Sequence, residues 1–135
     1  MNYWLIKSEP ETYSWATMKS DNITAWDGVR NYQARNFIMK MKVGDLCYFY
    51  HSGKERAIVG IAEVIKEAYK DPSDESGKFY MMDVRYKEDM SNPVTLSSIK
   101  ATPELQDLLL VRHSRLSVMP VSSKNWSLIE SLSSS

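Results

Sequence analysis

The sequence predicts a small α+β barrel, and three observations carry that expectation. Five or six stretches read as strands and several short ones as helices, intermingled along the chain without repeats or a linker. The chain has 135 residues, an ordinary length for one domain. Its residues are 43% apolar and 25% charged, enough apolar material for a core. Residues 1–135 are therefore read as a single domain, with a serine-rich tail from about residue 131.

Each element has local grounds. Tyr3 to Ser8 alternates and is rich in aromatic and β-branched residues before Pro10 stops it, so it reads as a first strand. Ser14 is placed to cap a short helix from Trp15 to Lys19. Ile23 to Trp26 is extended, and Asp27 with Gly28 turns the chain. From Asn31 the pattern becomes helical. Tyr32, Phe37, Ile38 and Met41 fall near helical spacing, and Lys40 and Lys42 load the last turn, where positive charge suits the helix dipole. Val43 to Asp45 is a turn. Leu46 to His51 is a dense β run of the kind found inside a sheet.

Ala57 to Tyr69 reads as a long strand, although its second half, from Glu63, also fits a helix. Asp71 to Lys78 carries Pro, Ser, Asp and Gly and is a loop. Phe79 to Tyr86 alternates again as a strand. Thr95 caps a short helix through Ile99, with a second turn over Pro103 to Leu109, and Arg115 to Met119 forms the last strand. Ser122 or Ser123 caps a closing helix through Leu132, with Trp126 and Ile129 inward and a fraying serine-rich end.

Several function classes drop out. Apolar runs are only a few residues long, far short of the roughly 20 that span a bilayer, so no membrane segment is expected. The first residues do not read as a secretory leader, so a cytoplasmic location, or a nuclear one in a eukaryote, is expected. Cys47 stands alone, excluding an internal disulfide or a cysteine-based zinc site. There is no phosphate-cradling glycine loop, dinucleotide fingerprint, nucleophile elbow or zinc histidine pair. Ser97 and Lys100 match a hydrolase pattern of two fixed residues whose partner motifs are missing. Asp71, Asp74 and Glu75 lack the ligand number and spacing of a calcium loop. No metal, cofactor or enzymatic activity is expected.

The 17 basic and 17 acidic residues cancel, whereas a protein held to nucleic acid by phosphate neutralisation is usually basic. Either nucleic acid is not the partner, or it is bound by a local patch and a specific pocket. Charge is in fact uneven. Residues 30–56 contain Arg30, Arg35, Lys40, Lys42, Lys54 and Arg56 against Asp45 and Glu55 alone.

Four segments are distinctive: Tyr3 to Pro10, Trp26 to Asn36, Tyr48 to Ser52, and Val111 to Pro120. Together with Ile58 to Val64 and Asn92 to Leu96 they resemble the EVE domain family, over nearly the whole chain from Asn2 to about Leu128. The resemblance implies a PUA-like fold, a curved mixed sheet closed into a pseudo-barrel with short helices around it. It also implies similarity to YTH domains, which hold methylated adenine in an aromatic cage. EVE domains are associated with modified bases in DNA, especially methylated or hydroxymethylated cytosine, and a modified RNA base is the other partner implied.

A protein that reads one base outside a duplex needs flat apolar walls, a few fixed polar groups and a phosphate anchor. Trp26, at a strand end before a glycine turn, is either a core indole or a pocket wall, and the resemblance favours the wall. Val29 joins it in the expected pocket. Asn31 is both a helix cap and a base-edge partner, with Arg30 as a phosphate contact. If their strands pair, Lys7 and Ser8 meet His51 and Ser52 at one rim, where the hydroxyls both donate and accept. Glu9 is a rim acceptor or a salt-bridge partner. Arg35 completes the rim, and Arg112 and Arg115 either grip an extruded nucleotide or pair internally with the closing helix. The expected function is capture of a modified base of DNA or RNA in an aromatic-lined pocket. The alternatives are a binder of a nucleotide-like metabolite and, less favoured, a metal-independent nuclease using His51, Lys7 and Arg30.

Overall fold

The computed structural model describes every residue from Met1 to Ser135. The strands are β1 (Tyr3–Ser8), β2 (Ile23–Ala25), β3 (Leu46–His51), β4 (Ala57–Lys70), β5 (Tyr80–Thr95) and β6 (Val118–Val121). The helices are α1 (Trp15–Asp21), α2 (Tyr32–Ile38), α3 (Leu96–Lys100), α4 (Leu109–Arg112) and α5 (Ser123–Ser134), with a 3-10 turn over Pro103–Leu105. Side chains cap the helices where the sequence places them. Ser14 accepts from the Thr17 N–H, Asn31 from Ala34, Thr95 from Ser98 and Ser122 from Asn125.

All strands join one six-stranded sheet in the order β2-β5-β4-β3-β1-β6. β1 and β3 are parallel and every other neighbouring pair is antiparallel. A parallel pair needs a crossover, and α1, β2 and α2 supply it. The dense run in β3 is buried from Cys47 to His51, as expected of an interior strand. β2 and β6 are the open edges. α2 packs against the edge strand β6 and against β5, the neighbour of the other edge strand, so it spans the gap between the two sides of the curved sheet.

The core is aromatic. Tyr48 stacks on Trp126 of α5 with centroids 3.6 Å apart and donates its hydroxyl to the Trp126 carbonyl. Trp15 lies directly over Gly60, where an added Cβ would come within 1.9 Å of the indole. Buried Asp45 accepts from the Asn2 and Lys42 N–H groups and from the Trp4 indole, fastening the turn before β3 to the start of β1. No helix is long and apolar enough to cross a membrane.

Some boundaries differ from the sequence reading. Glu63 to Tyr69 is not among them: it keeps to the strand reading and not the helical alternative, because β5 pairs with β4 as far as Lys70. β5 runs on from Tyr86 to Thr95 through strand-poor residues, since register shifts let it follow β4 back to Ala57. The turn expected over Pro103 to Leu109 divides into the 3-10 turn and α4, and the last strand starts at Val118, not Arg115. The serine-rich end does not fray: α5 reaches Ser134, and the buried Ser133 hydroxyl donates to the Asn92 carbonyl and accepts its N–H.

Candidate functional site

A cleft of about 670 Å³ opens where the end of β1 faces the loop joining β2 to α2. This lies within the roughly 300–1,000 Å³ typical of small-ligand sites. Lys7, Ser8 and Glu9 form one side with Thr12 and Tyr13. Thr24 to Asn31 form the other, and Ser117, just ahead of β6, completes the lining.

Trp26 is 8% exposed, and its backbone N–H donates to Met82, which extends the β2–β5 ladder by one bond. Its ring meets Phe49 and Tyr13 edge-on, at 5.5 Å and 6.3 Å and nearly perpendicular, so no aromatic ring stacks on the indole. Its indole N–H has no hydrogen-bond partner and is not sealed from the surface, whereas those of Trp4 and Trp15 donate to Asp45 and Asp89. Trp26 is thus a core residue and a cleft wall at once.

Gly28 adopts φ +78°, the left-handed region that favours glycine, and its N–H donates to Asp71 at 2.8 Å. Arg30 donates to Asp71 at 3.3 Å, to the Val29 carbonyl and to the Ser73 hydroxyl. The Asp71 side chain is fully buried. Burial pushes its carboxyl up, but hydrogen bonds from Ser73, the Gly28 N–H and Arg30 outweigh it and hold the carboxyl below its ordinary value. The charge of Arg30 is therefore matched by a buried carboxylate.

The polar groups facing the cleft have defined roles. The Ser8 hydroxyl donates to the Tyr13 carbonyl, which leaves it only lone pairs to offer a ligand. The Asn31 side-chain oxygen accepts from Ala34, which leaves the amide nitrogen as a donor. Lys7 donates to the Ser114 carbonyl at 2.8 Å and makes no ion pair; burial lowers its pKa. Among the lining residues Lys7 and Arg30 balance Glu9 and Asp27.

The cleft brings together Lys7, Ser8, Glu9, Trp26, Val29, Arg30 and Asn31 from the sequence reading. The others lie elsewhere. β1 and β3 do pair, with Ser8 opposite His51, yet the imidazole is buried under α1. His51 Nε2 accepts the Trp15 N–H at 2.9 Å and Nδ1 meets Glu55 at 2.7 Å. Ser52 does not line the cleft, and its N–H donates to the Ser8 carbonyl. Arg35 reaches Asn36 and the Lys78 carbonyl on the outer face of α2. Arg112 and Arg115 neither line the cleft nor pair internally, because the α4–β6 turn leaves both exposed.

Sequence reasoning missed Thr12, Tyr13, Thr24, Asp27, Ser117 and the supporting Asp71. Ser117 lay within a distinctive segment and Tyr13 was an aromatic shortly after the strand-ending Pro10. The sequence marked Asp71 only as the start of an acidic loop, and it reaches the cleft by tertiary contact.

A six-stranded mixed sheet with five short helices is the architecture of the PUA-like class, here with a cleft at one strand end. The EVE domain model matches residues 2–132, and the chain belongs to the EVE domain family. Human thymocyte nuclear protein 1 is 33% identical over 97% of this chain and 73% of its own length. The Rpa0253 protein of Rhodopseudomonas palustris, solved by NMR, is 43% identical with a TM-score of 0.94, covering 99% of this chain and 94% of that one. The human THYN1 protein, solved in complex with 5-methylcytosine containing DNA, is 33% identical with a TM-score of 0.94, covering 100% and 99%. A mutant ASCH protein of Zymomonas mobilis is 10% identical with a TM-score of 0.62 over 98% and 99% of the two chains, a likeness of fold alone.

Proposed function

We propose that the cleft captures a single modified base of DNA, methylated or hydroxymethylated cytosine in the first instance, with the base lying against Trp26. The observation that carries this reading is the state of Trp26: an indole without a stacked ring, at the wall of a cleft whose lining also includes a serine that only accepts and an asparagine amide that donates. The likeness to the human THYN1 protein, solved in complex with 5-methylcytosine containing DNA, supports it.

The energetics are consistent. Extruding a paired base costs a few kcal/mol. Stacking contributes about 1–3 kcal/mol per base, and each net hydrogen bond about 0.5–1.5 kcal/mol, enough to offset that cost. A buried methyl adds only about 0.8 kcal/mol by area, roughly fourfold in affinity, so strong preference for a methyl requires a closely shaped wall. A hydroxymethyl with its own partner discriminates further, because its absence leaves a buried group unpaired. The charge-balanced lining also favours selection by shape and hydrogen bonding over phosphate attraction.

We read the chain as a binding module. His51, the natural acid–base group of a nuclease, is occupied by the Trp15 N–H and Glu55 and stands away from the cleft. Titration of single-stranded and duplex oligonucleotides, with and without 5-methylcytosine, tests the reading. The modified strands bind more tightly, and Trp26→Ala removes the preference while circular dichroism stays native. The loss expected is about 1–3 kcal/mol, the worth of one stacked base. Equal, weak binding of every strand by the native protein would overturn the proposal.

A further inference from the structure

A second surface begins where the cleft ends. Asn31 lines the cleft, and the next residue, Tyr32, opens α2 with its side chain turned outward. Tyr32, Arg35, Asn36, Met39 and Lys40 follow the spacing that places residues on one helical face. The opposite face, Ala34, Ile38 and Met41, is buried. Tyr32, the first residue of α2, is 52% exposed and Met39, the residue just after it, 48%, which is unusual for large apolar groups beside a helix otherwise packed into the core.

The outer face is joined to the cleft by an alternation of guanidinium and ring. Arg30 lies 5.5 Å from the Phe79 ring centroid, Phe79 lies 4.9 Å from Tyr32, and Arg35 lies 4.9 Å from Tyr32. Its charge is one-signed. α2 and the turn after it, through Lys42, carry Arg35, Lys40 and Lys42 without an acidic residue, and no carboxylate pairs with any of them. Arg30, by contrast, is matched by Asp71. The cleft is thus nearly neutral while the adjoining helix face is cationic and apolar.

We propose that this face, Tyr32, Arg35, Met39 and Lys40, is where the DNA strand flanking the captured base lies. The inference rests on the base-capture reading and adds the part of the ligand outside the cleft. Unpaired cations suit phosphates, and an exposed aromatic ring suits the apolar surface of a neighbouring base or sugar. Selection and grip are then separate: the cleft recognises the modification, and the outer face of α2 supplies affinity that does not depend on it.

The test compares the native chain, Arg35→Gln, Tyr32→Ala and Trp26→Ala, all checked for native circular dichroism. Each is titrated over a range of salt with one single-stranded oligonucleotide carrying 5-methylcytosine and with the same strand unmodified. Tyr32→Ala weakens both strands roughly tenfold and leaves their affinity ratio unchanged. Arg35→Gln also weakens both, and flattens the slope of log K against log salt by about 0.7, the value of one single-strand phosphate contact. Trp26→Ala instead collapses the ratio.

Native affinity and native salt slope in both α2 variants, beside a native protein that prefers the modified strand, would overturn the inference and leave the cleft reading intact. A native protein without preference, with both strands still weakened by the α2 variants, would remove the cleft reading and keep this surface as a DNA contact. Self-association in sedimentation that Tyr32→Ala abolishes, with DNA binding untouched, would assign the face to a second copy of the chain and also overturn the inference.

Discussion

Four donors meet the Asp71 carboxylate: the N–H groups of Gly28 and Ser73, the Ser73 hydroxyl and the Arg30 guanidinium. Replacing it with asparagine turns one acceptor into a donor facing donors. Asp71→Asn is expected to cost about 1–3 kcal/mol in urea unfolding, the usual penalty of an unsatisfied buried group. Hydrogen exchange at the Gly28 amide should accelerate in the same variant, because an amide oxygen is a weaker acceptor than a carboxylate and only one of the two side-chain positions retains it. On the proposed base-capture function, Arg30, freed of its counter-charge, should hold DNA more tightly but with less preference for the modified base; a faster Gly28 amide with unchanged preference would make Asp71 purely structural. At this scale the sequence was legible where the candidate site is local. Trp26 to Asn31 are neighbours in the chain, and a strand end, a glycine turn and a helix cap are all short-range patterns. His51 misled because strand alternation alone does not say which face a helix will cover. The role of Asp71 at the cleft was hidden because the partners it holds there, Gly28 and Arg30, are more than 40 residues away.

Among the elements, the meeting of α1 with β4 has the least tolerance. The Trp15 indole occupies the space of a side chain at Gly60, is tied to Asp89 by its N–H, and cannot slide because His51 holds its backbone. Gly60→Ala is therefore expected to destabilise by at least about 2 kcal/mol, as overpacked cores do, with a changed near-ultraviolet tryptophan signal. A native melting temperature in that variant would show that α1 lifts away freely. The same contacts explain which elements the sequence disclosed. β1 and β3 announced themselves by composition, and the caps of α1 and α3 by a serine and a threonine. The far half of β5 did not, since Asp89 to Pro93 are poor strand formers kept extended by β4. The end of α5 was hidden too: its serines look disordered until Ser133 is seen to bond Asn92.

For the whole molecule, acid is the informative perturbation. Asp74 is lowered to about 2, first by the Ser76 hydroxyl and then, against burial, by the N–H groups of Phe79, Ser76 and Lys78. Asp71 is also held below 3.8, its burial more than offset by its hydrogen bonds, and Lys19 with Trp15 does the same for Asp89. A carboxylate depressed on folding adds stability above its unfolded pKa, and that stability is lost as pH falls through the folded value. Unfolding free energy should thus be flat with respect to these groups above about pH 5 and decline from there toward pH 2. Tryptophan fluorescence in urea at stepped pH measures this, and a flat profile down to pH 2 would mean the loop carboxylates are not linked to folding. The sheet order has a further consequence. Tyr3 pairs with Leu46 on one flank and Val121 on the other, so β1 is enclosed by neighbours that leave the ribosome much later. Until both arrive, the nascent chain carries a sticky, half-dressed ribbon, and its shielding falls to chaperones or to speed.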